Sequence, residues 1–231
     1  MNNCQSNHPL PLLESLPNKQ IKGLVPLSLV ESLKRLPPEW GKWAKAGENG
    51  FELRNKTNNR GSDRASLFTR EVADKLSYLL RPHVPTLMMS KDTPMVGMFD
   101  RSSIWAYEGV NPLLRYISYP EQTGVLFTHY DVPYVYDDQE FCTLLSVVIY
   151  LETGTGGNTR FIKGREAKFK ELPLPDWTRD TNEEEVDSVV DATVGDVLIF
   201  PHTRLHDSSL VTQGRKTIIR TDITYRRILT E

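Results

Sequence analysis

The sequence predicts an α+β domain: a jelly roll or sandwich of antiparallel strands, preceded by two helices packed on it. Three observations predict this. Helical periodicity is confined to the first third of the chain. From about residue 95 it gives way to short runs rich in Val, Ile, Leu, Tyr and Thr, separated by turn residues. At roughly 150 residues per domain, the 231 residues make one large domain or a domain with a modest extension. Helices followed by antiparallel strands describe an α+β architecture, so we expect residues 1–90 to form a helical extension packed on a β core of 91–231, as one structural domain.

The elements follow in order. Ser28 with Glu31 reads as a capping box, and Leu29, Val30, Leu33 and Leu36 recur at helical spacing before Pro37-Pro38 stop the helix. After a polar stretch from Gly47 to Gly61, Ser62-Asp63 reads as the cap of a second helix. Its stripe is Leu67, Val72, Leu76 and Leu79-Leu80, ending before Pro82. Strands are expected at 104–107, 113–119, 124–129, 142–151, 158–162, 189–194, 196–200, 204–211 and 216–226. Between them, Pro173 to Asp191 carries seven acids (Asp176, Asp180, Glu183, Glu184, Glu185, Asp187 and Asp191) and reads as a solvated loop.

Composition narrows the function. Hydrophobic residues are 39% and charged residues 25%, which excludes disordered and collagenous chains. The 28 cations against 30 acids give a net charge of −2, so no global positive field recruits a nucleic acid. A small-molecule or protein substrate is favoured. Only Cys4 and Cys142 are present, which argues against a structural disulfide, and no window approaches the ~18 apolar residues of a spanning helix. We therefore expect a protein of the reducing cytoplasm, away from membranes and nucleic acid, as a monomer or homodimer.

The sharpest local feature is Thr128-His129-Tyr130-Asp131 at the end of an expected strand, because period-2 alternation turns His129 and Asp131 to one face. An imidazole and a carboxylate make part of a metal site, and a third ligand is required. Of His8, His83, His129, His202 and His206, the last two lie downstream, where another strand of the same core could return them. Beyond His206 come Leu210-Val211, a Gly214 turn and Arg215-Lys216, so a cation follows the histidine by ten residues. Two histidines and one carboxylate leave three cis positions on Fe(II), enough for a bidentate 2-oxo acid and dioxygen. The far carboxylate of such an acid needs a buried cation and a hydroxyl donor.

The stretch from about Tyr116 to Arg226 resembles the Fe(II)- and 2-oxoglutarate-dependent dioxygenases of the prolyl-4-hydroxylase-like type. Tyr119-Pro120, Gly124 and His129-Tyr130-Asp131 are similar to that family's entry to the metal site. Leu144-Ser146-Val148-Tyr150-Leu151 resembles its next strand, and Gly156-Gly157-Asn158-Thr159-Arg160-Phe161 its Gly-Gly-x-Thr-x-Phe signature. Gly195-Asp196-Val197-Leu198-Ile199-Phe200, Leu205-His206-Asp207 and Gly214-x-Lys216 resemble its closing pattern.

The resemblance implies a double-stranded β-helix of cupin-like jelly-roll type with N-terminal supporting helices, and Fe(II) held by His129, Asp131 and His206. It gives Lys216 the distal carboxylate of 2-oxoglutarate, with Tyr150, Tyr119 and Thr159 as hydroxyl donors. Arg220 shares the strand face of Lys216 and stays open as the anchor; His202 reads as a neighbour of the ligands or as packing. The implied chemistry consumes dioxygen, with ascorbate as a supporting reductant, and hydroxylates an unactivated C–H with succinate and carbon dioxide as co-products. Because Asp131 is a carboxylate where halogenating relatives carry a small residue, hydroxylation is expected.

Candidate substrate contacts are Arg101, Trp105, Tyr107, Arg115, Tyr134, Tyr136, Arg160 and Arg204, a set of arginines and tyrosines that suits a small polar or anionic metabolite, such as an amino acid or a carboxylated natural-product intermediate. The alternatives are a peptidyl or protein prolyl hydroxylase and, in another class, a non-catalytic jelly-roll binding module.

Overall fold

The computed structural model describes residues 9–36, 59–60, 62–90, 103–136, 140–166 and 179–228. Strand β1 (Lys19–Ile21) precedes helix α1 (Leu27–Lys34), and β2 (Asn59–Arg60) and β3 (Asp63–Phe68) precede helix α2 (Arg70–Leu80). Then come β4 (Leu87–Ser90), β5 (Ser103–Val110), β6 (Leu113–Pro120), β7 (Val125–His129), β8 (Phe141–Glu152), β9 (Thr155–Gly156) and β10 (Thr159–Ile162). The chain closes with β11 (Val186–Val190), β12 (Val197–Pro201), β13 (His206–Ser208), β14 (Val211–Gln213) and β15 (Arg215–Ile228).

Two sheets form the core. In the larger, β1, β12, β8 and β15 lie side by side; the first half of β15 pairs with β6 and through it β3, the second half with β5 and through it β4. The smaller runs β11-β10-β13-β7-β2, and β14 pairs with β9. Side chains from both sheets meet between them: Ile117, Tyr119, Tyr150, Phe200 and Ile218 from the larger, Phe161 and Val190 from the smaller. Phe161 and Phe200 make an edge-to-face pair at 5.2 Å. The other face of the larger sheet is covered by Leu33 of α1 and by Leu76 and Leu80 of α2, packed with Trp105, Leu145, Ile149 and Ile219. The result is a jelly roll of the double-stranded β-helix kind, supported by two helices. Because the larger sheet is buried on both faces, the middle of β8 is buried at every position and shows no polar alternation.

Three expectations are corrected. The second helix does not begin at Ser62-Asp63: residues 63–68 form β3, whose six residues pair with β6, and Thr69 caps α2 by accepting the Val72 N–H. Pairing overrides the local helical reading, with Ala65 turned to the helical layer and Arg64 to the inter-sheet side. Helix α1 starts at Leu27 behind Pro26, so Ser28 lies inside the first turn and makes no cap. The first 90 residues are not purely helical, since β1, β3 and β4 extend the larger sheet.

The acidic stretch contains β11, paired with β10, because Val186 to Val190 can complete the smaller sheet's edge; the 167–178 part lies outside the described residues. The strand expected at 204–211 is divided into β13 and β14. Cys142 is buried and free, and no helix among the described residues is long and apolar enough to cross a membrane.

Candidate active site

The inter-sheet space holds a cluster built from three elements. β7 and β13 are antiparallel neighbours with His129 directly opposite His206, and their ring centroids are 4.3 Å apart. Three steps along β7, from Leu126 to His129, match two along β13, and this bulge helps aim the ring of His129. Asp131 follows two residues after β7. The ligand atoms of His129, Asp131 and His206 lie within 4.8 Å of one another, a span one metal ion can bridge.

Each group is oriented for coordination. His129 Nδ1 lies 2.8 Å from the Phe127 carbonyl and His206 Nδ1 lies 2.9 Å from the Arg204 carbonyl, each two residues upstream. A carbonyl only accepts, so each Nδ1 carries the proton and each Nε2 keeps its lone pair for a metal. These Nε2 atoms face opposite oxygens of Asp131, at 3.7 and 3.8 Å. Ser146 donates to Asp131 Oδ2, and Arg220 Nη2 sits 3.2 Å from Oδ1. Burial alone would raise the Asp131 carboxyl, but Arg220, His206 and His129 reverse that and hold it well below the ordinary range. Burial, reinforced by neighbouring His129, pushes the His206 imidazole down to about 4, toward the neutral form that ligates. The donor set is two imidazoles and one carboxylate.

A second polar group lies at one end of the cluster. Lys216 is buried on β15; its ammonium donates to the Gly157 carbonyl at 2.6 Å and the Ser208 hydroxyl at 2.8 Å and lies 5.0 Å from the Tyr119 ring centre. Among the described residues no carboxylate comes within ion-pair distance of it. Tyr150 and Thr159 share a hydroxyl–hydroxyl bond at 2.9 Å nearby, and Lys216 lies 5.9 Å from the Tyr150 ring. Gly157 (φ +67°) allows the close approach: a Cβ there would come within 2.8 Å of Val211 and 3.3 Å of Lys216 Cδ.

Arg220 shares the face of Lys216 but stands four residues along, about 13 Å at strand rise. Its guanidinium is engaged with Asp131 and, at 2.9 Å, Asp222. It buttresses the metal end, which sets it apart from the anchor position at Lys216.

Of the expected substrate contacts, the structure brings only some to this space. Arg115 faces it, 3.0 Å from Asp222. Trp105 does not: it is fully buried in the helical layer and donates to Ser90. Tyr107 lies on that outer side too, bonded to the Ser77 carbonyl and lining a cleft of about 490 Å³ with Ser77, Tyr78, Arg81 and Pro82. Both sit on β5 and point to the face of the sheet that the helices cover. Arg160 points away from Thr159 and Phe161 and clasps Asp207 at 2.7 and 2.8 Å. Arg204 lies over Phe161 and reaches surface Asp187 at 3.5 Å. Tyr134 and Tyr136 form a partly exposed aromatic pair at 6.5 Å. Arg101 lies outside the described residues.

The groups that sequence reasoning missed are Arg64, Asn111 and Asp222. Buried Asp222 gathers Arg115, Arg220, Asn111 and His202, the last at 3.3 Å, so His202 belongs to this charged group. Burial would raise Asp222, and Arg220, His202 and Arg115 together drive it far below its usual value.

No protein-family model matches the chain, and no curated protein matches it by sequence. Solved structures do. HygX from Streptomyces hygroscopicus, with nickel and 2-oxoglutarate bound, aligns at 15% identity over 93% of this chain and 84% of its own, with a TM-score of 0.53. A prolyl hydroxylase from Trichoplax adhaerens, in complex with a hypoxia inducible factor peptide fragment, aligns at 15% identity over 91% and 85%, with a TM-score of 0.51. The viral collagen prolyl hydroxylase of Paramecium Bursaria Chlorella virus-1, as its 2OG complex, aligns at 16% identity over 92% and 98%, with a TM-score of 0.50. The chain shares with these three structures its fold, a double-stranded β-helix. Within this fold, the His-Asp-His cluster and Lys216 occupy one inter-sheet space, the cluster beside the end of β7 and the lysine at the start of β15.

Proposed function

We propose that this protein is an Fe(II)- and 2-oxoglutarate-dependent dioxygenase that hydroxylates an unactivated C–H of a small polar metabolite. The carrying observation is the pairing of a His129, Asp131, His206 ligand set with an ammonium, Lys216, that is buried in the same space without a counter-ion among the described residues. Fe(II) suits two imidazoles and a carboxylate with open cis positions, and a diacid supplies the anion that Lys216 lacks. Bound together with dioxygen, these groups would supply oxidative decarboxylation of 2-oxoglutarate to succinate and carbon dioxide, one oxygen atom going to succinate and the other to the substrate. The chain's own part is to orient. His129 and His206 present Nε2, Ser146 and Arg220 fix the Asp131 carboxylate, and Lys216, Tyr150, Thr159 and Tyr119 receive the far end of the diacid. A small polar substrate is favoured over a peptide because, among the described residues, the metal ligands adjoin a cluster of charged groups, Arg64, Arg115, Arg220 and Asp222.

The test is an anaerobic visible-absorption titration of metal-free protein with Fe(II) and then 2-oxoglutarate. A charge-transfer band that needs both additions and disappears in His206→Ala is expected; no band in folded wild type would refute the proposal and return the binding-module reading. Incubation with lysate separates the substrates: an oxidised metabolite with no newly oxidised peptide is expected.

A pH dependence follows from Lys216. Burial holds its ammonium down to about 7 in the ligand-free protein, with Asp207 pulling slightly upward. The diacid binds the charged form and raises that value. Below about pH 7 the group is charged in both states, so affinity is flat; above it, binding requires proton uptake. The 2-oxoglutarate dissociation constant should therefore rise about tenfold per pH unit above 7, until the bound-state value is passed. Calorimetry at pH 6.5 and 8.5, in two buffers of different ionisation enthalpy, reads both the weakening and the proton uptake; Lys216→Arg should remove both.

A further inference from the structure

Three guanidinium groups converge beside the metal ligands from adjacent strands. Arg220 of β15 stands directly opposite Arg115 of β6, and Arg64 of β3 is opposite Ile117 on the same inter-sheet face. Like charges directly across a sheet repel unless anions intervene. Asp222 contacts Arg115 and Arg220, and Asp131 contacts Arg220, but on the reading above Asp131 is committed to the metal. Among the described residues that leaves one carboxylate in contact with these cations, Asp222.

Arg64 has no ion pair and no hydrogen bond among the described residues, and its Nε is buried without a partner, as is Nε of Arg220. Burial lowers the Arg64 guanidinium, with Arg220 and Arg115 adding repulsion against the pull of Tyr119 and Asp131. Arg64 is half-buried, with its Nε shut off from water; such a guanidinium with no counter-ion among the described residues is unfavourable, and its planar fork matches a carboxylate.

We propose that Arg64 and Arg220, backed by Arg115, receive a carboxylate or comparable planar oxyanion of the prime substrate, making that substrate a small acid. This rests on the oxygenase reading. The register separates the site from the co-substrate anchor: Ile218 pairs with Tyr150 at the Lys216 end, and Asp222 with Ser146 at the Asp131 end. The same chemistry could come from the near carboxylate of 2-oxoglutarate, so the experiment has two arms.

In the first, wild type and Arg64→Gln, loaded with Ni(II) and saturating 2-oxoglutarate, are titrated with sodium acetate at constant ionic strength and followed by thermal midpoint. In the second, the 2-oxoglutarate dissociation constant of each is measured by anaerobic charge-transfer titration with Fe(II). Saturable stabilisation of wild type by acetate, weakened at least tenfold in Arg64→Gln while 2-oxoglutarate affinity moves less than threefold, is expected. Equal acetate response in both proteins, or no saturable response in wild type, overturns the proposal. So does a tenfold loss of 2-oxoglutarate affinity without loss of acetate, which would give the cations to the co-substrate.

Should Arg64→Gln fail to fold, Arg64→Lys keeps the charge without the fork and should weaken acetate by an intermediate factor; an unchanged response would count against the fork. Absence of the charge-transfer band in wild type would remove the oxygenase reading alone. The acetate titration, repeated on metal-free Lys216→Met protein where the other unpaired cation is gone, then decides the anion site by itself.

Discussion

Asp131→Ala abolishes turnover. The variant removes the only carboxylate of the ligand set and, with it, the group that Ser146 and Arg220 hold in place. Breaking one partner of a buried, charge-assisted arrangement costs about 4 kcal/mol, so Fe(II) affinity should fall on the order of 10³-fold. Metal content after gel filtration and succinate formation read the two losses, and an unchanged far-UV circular dichroism spectrum shows that the fold is kept. Asp131→Asn keeps the shape and the oxygen but not the charge; it should retain a little metal and almost no turnover. Iron binding at wild-type strength in either variant would show that the ligand set is wrongly assigned.

The second large effect falls on the co-substrate. Lys216→Ala leaves the distal carboxylate of 2-oxoglutarate in a buried pocket with only hydroxyl donors. Truncating one member of such a pair costs about 3 kcal/mol, a rise on the order of 10²-fold in the 2-oxoglutarate requirement. Half-saturation by Fe(II) should move less than about threefold, because Lys216 does not touch the metal ligands. Arg220→Ala is the contrasting variant. Its guanidinium contacts Asp131 and Asp222, so it should lower iron affinity and turnover while changing the 2-oxoglutarate requirement little. If Arg220→Ala raises that requirement and Lys216→Ala does not, the two roles are exchanged.

Much of the jelly roll was legible in the sequence because its strands are apolar runs bounded by turn residues, and His-x-Asp before a strand break is a local pattern. The second histidine was not local: His206 comes opposite His129 only through the pairing of β13 with β7, and the choice between it and His202 came from resemblance to a family. Alternation failed where both faces of a strand are covered. Trp105 and Tyr107, expected as substrate contacts, are turned to the helical layer by the parity of β5. Alternation could not separate Lys216 from Arg220, which share a face and differ only in height along the strand. Arg64 was hidden because its segment, Asp63-Arg64-Ala65-Ser66-Leu67-Phe68, was absorbed into a helix; read as alternation, it puts Arg64 and Ser66 opposite Ala65 and Leu67, the one signal that could have found it.

The same long strand has a further consequence. β15 carries Lys216, Arg220 and Asp222 on one unbroken element, so it works as a ruler whose graduations are peptide units. The gap between the place for one acid and the place for another cannot be stretched by exchanging side chains, and inserting or deleting a residue between 216 and 220 would turn one of them out of the core. β3, by contrast, is paired among the described residues on one side only, with β6, and can change length or residue without breaking the frame. Divergence in what this scaffold accepts should therefore accumulate in the strand that bears Arg64, while the spacing along β15 stays fixed.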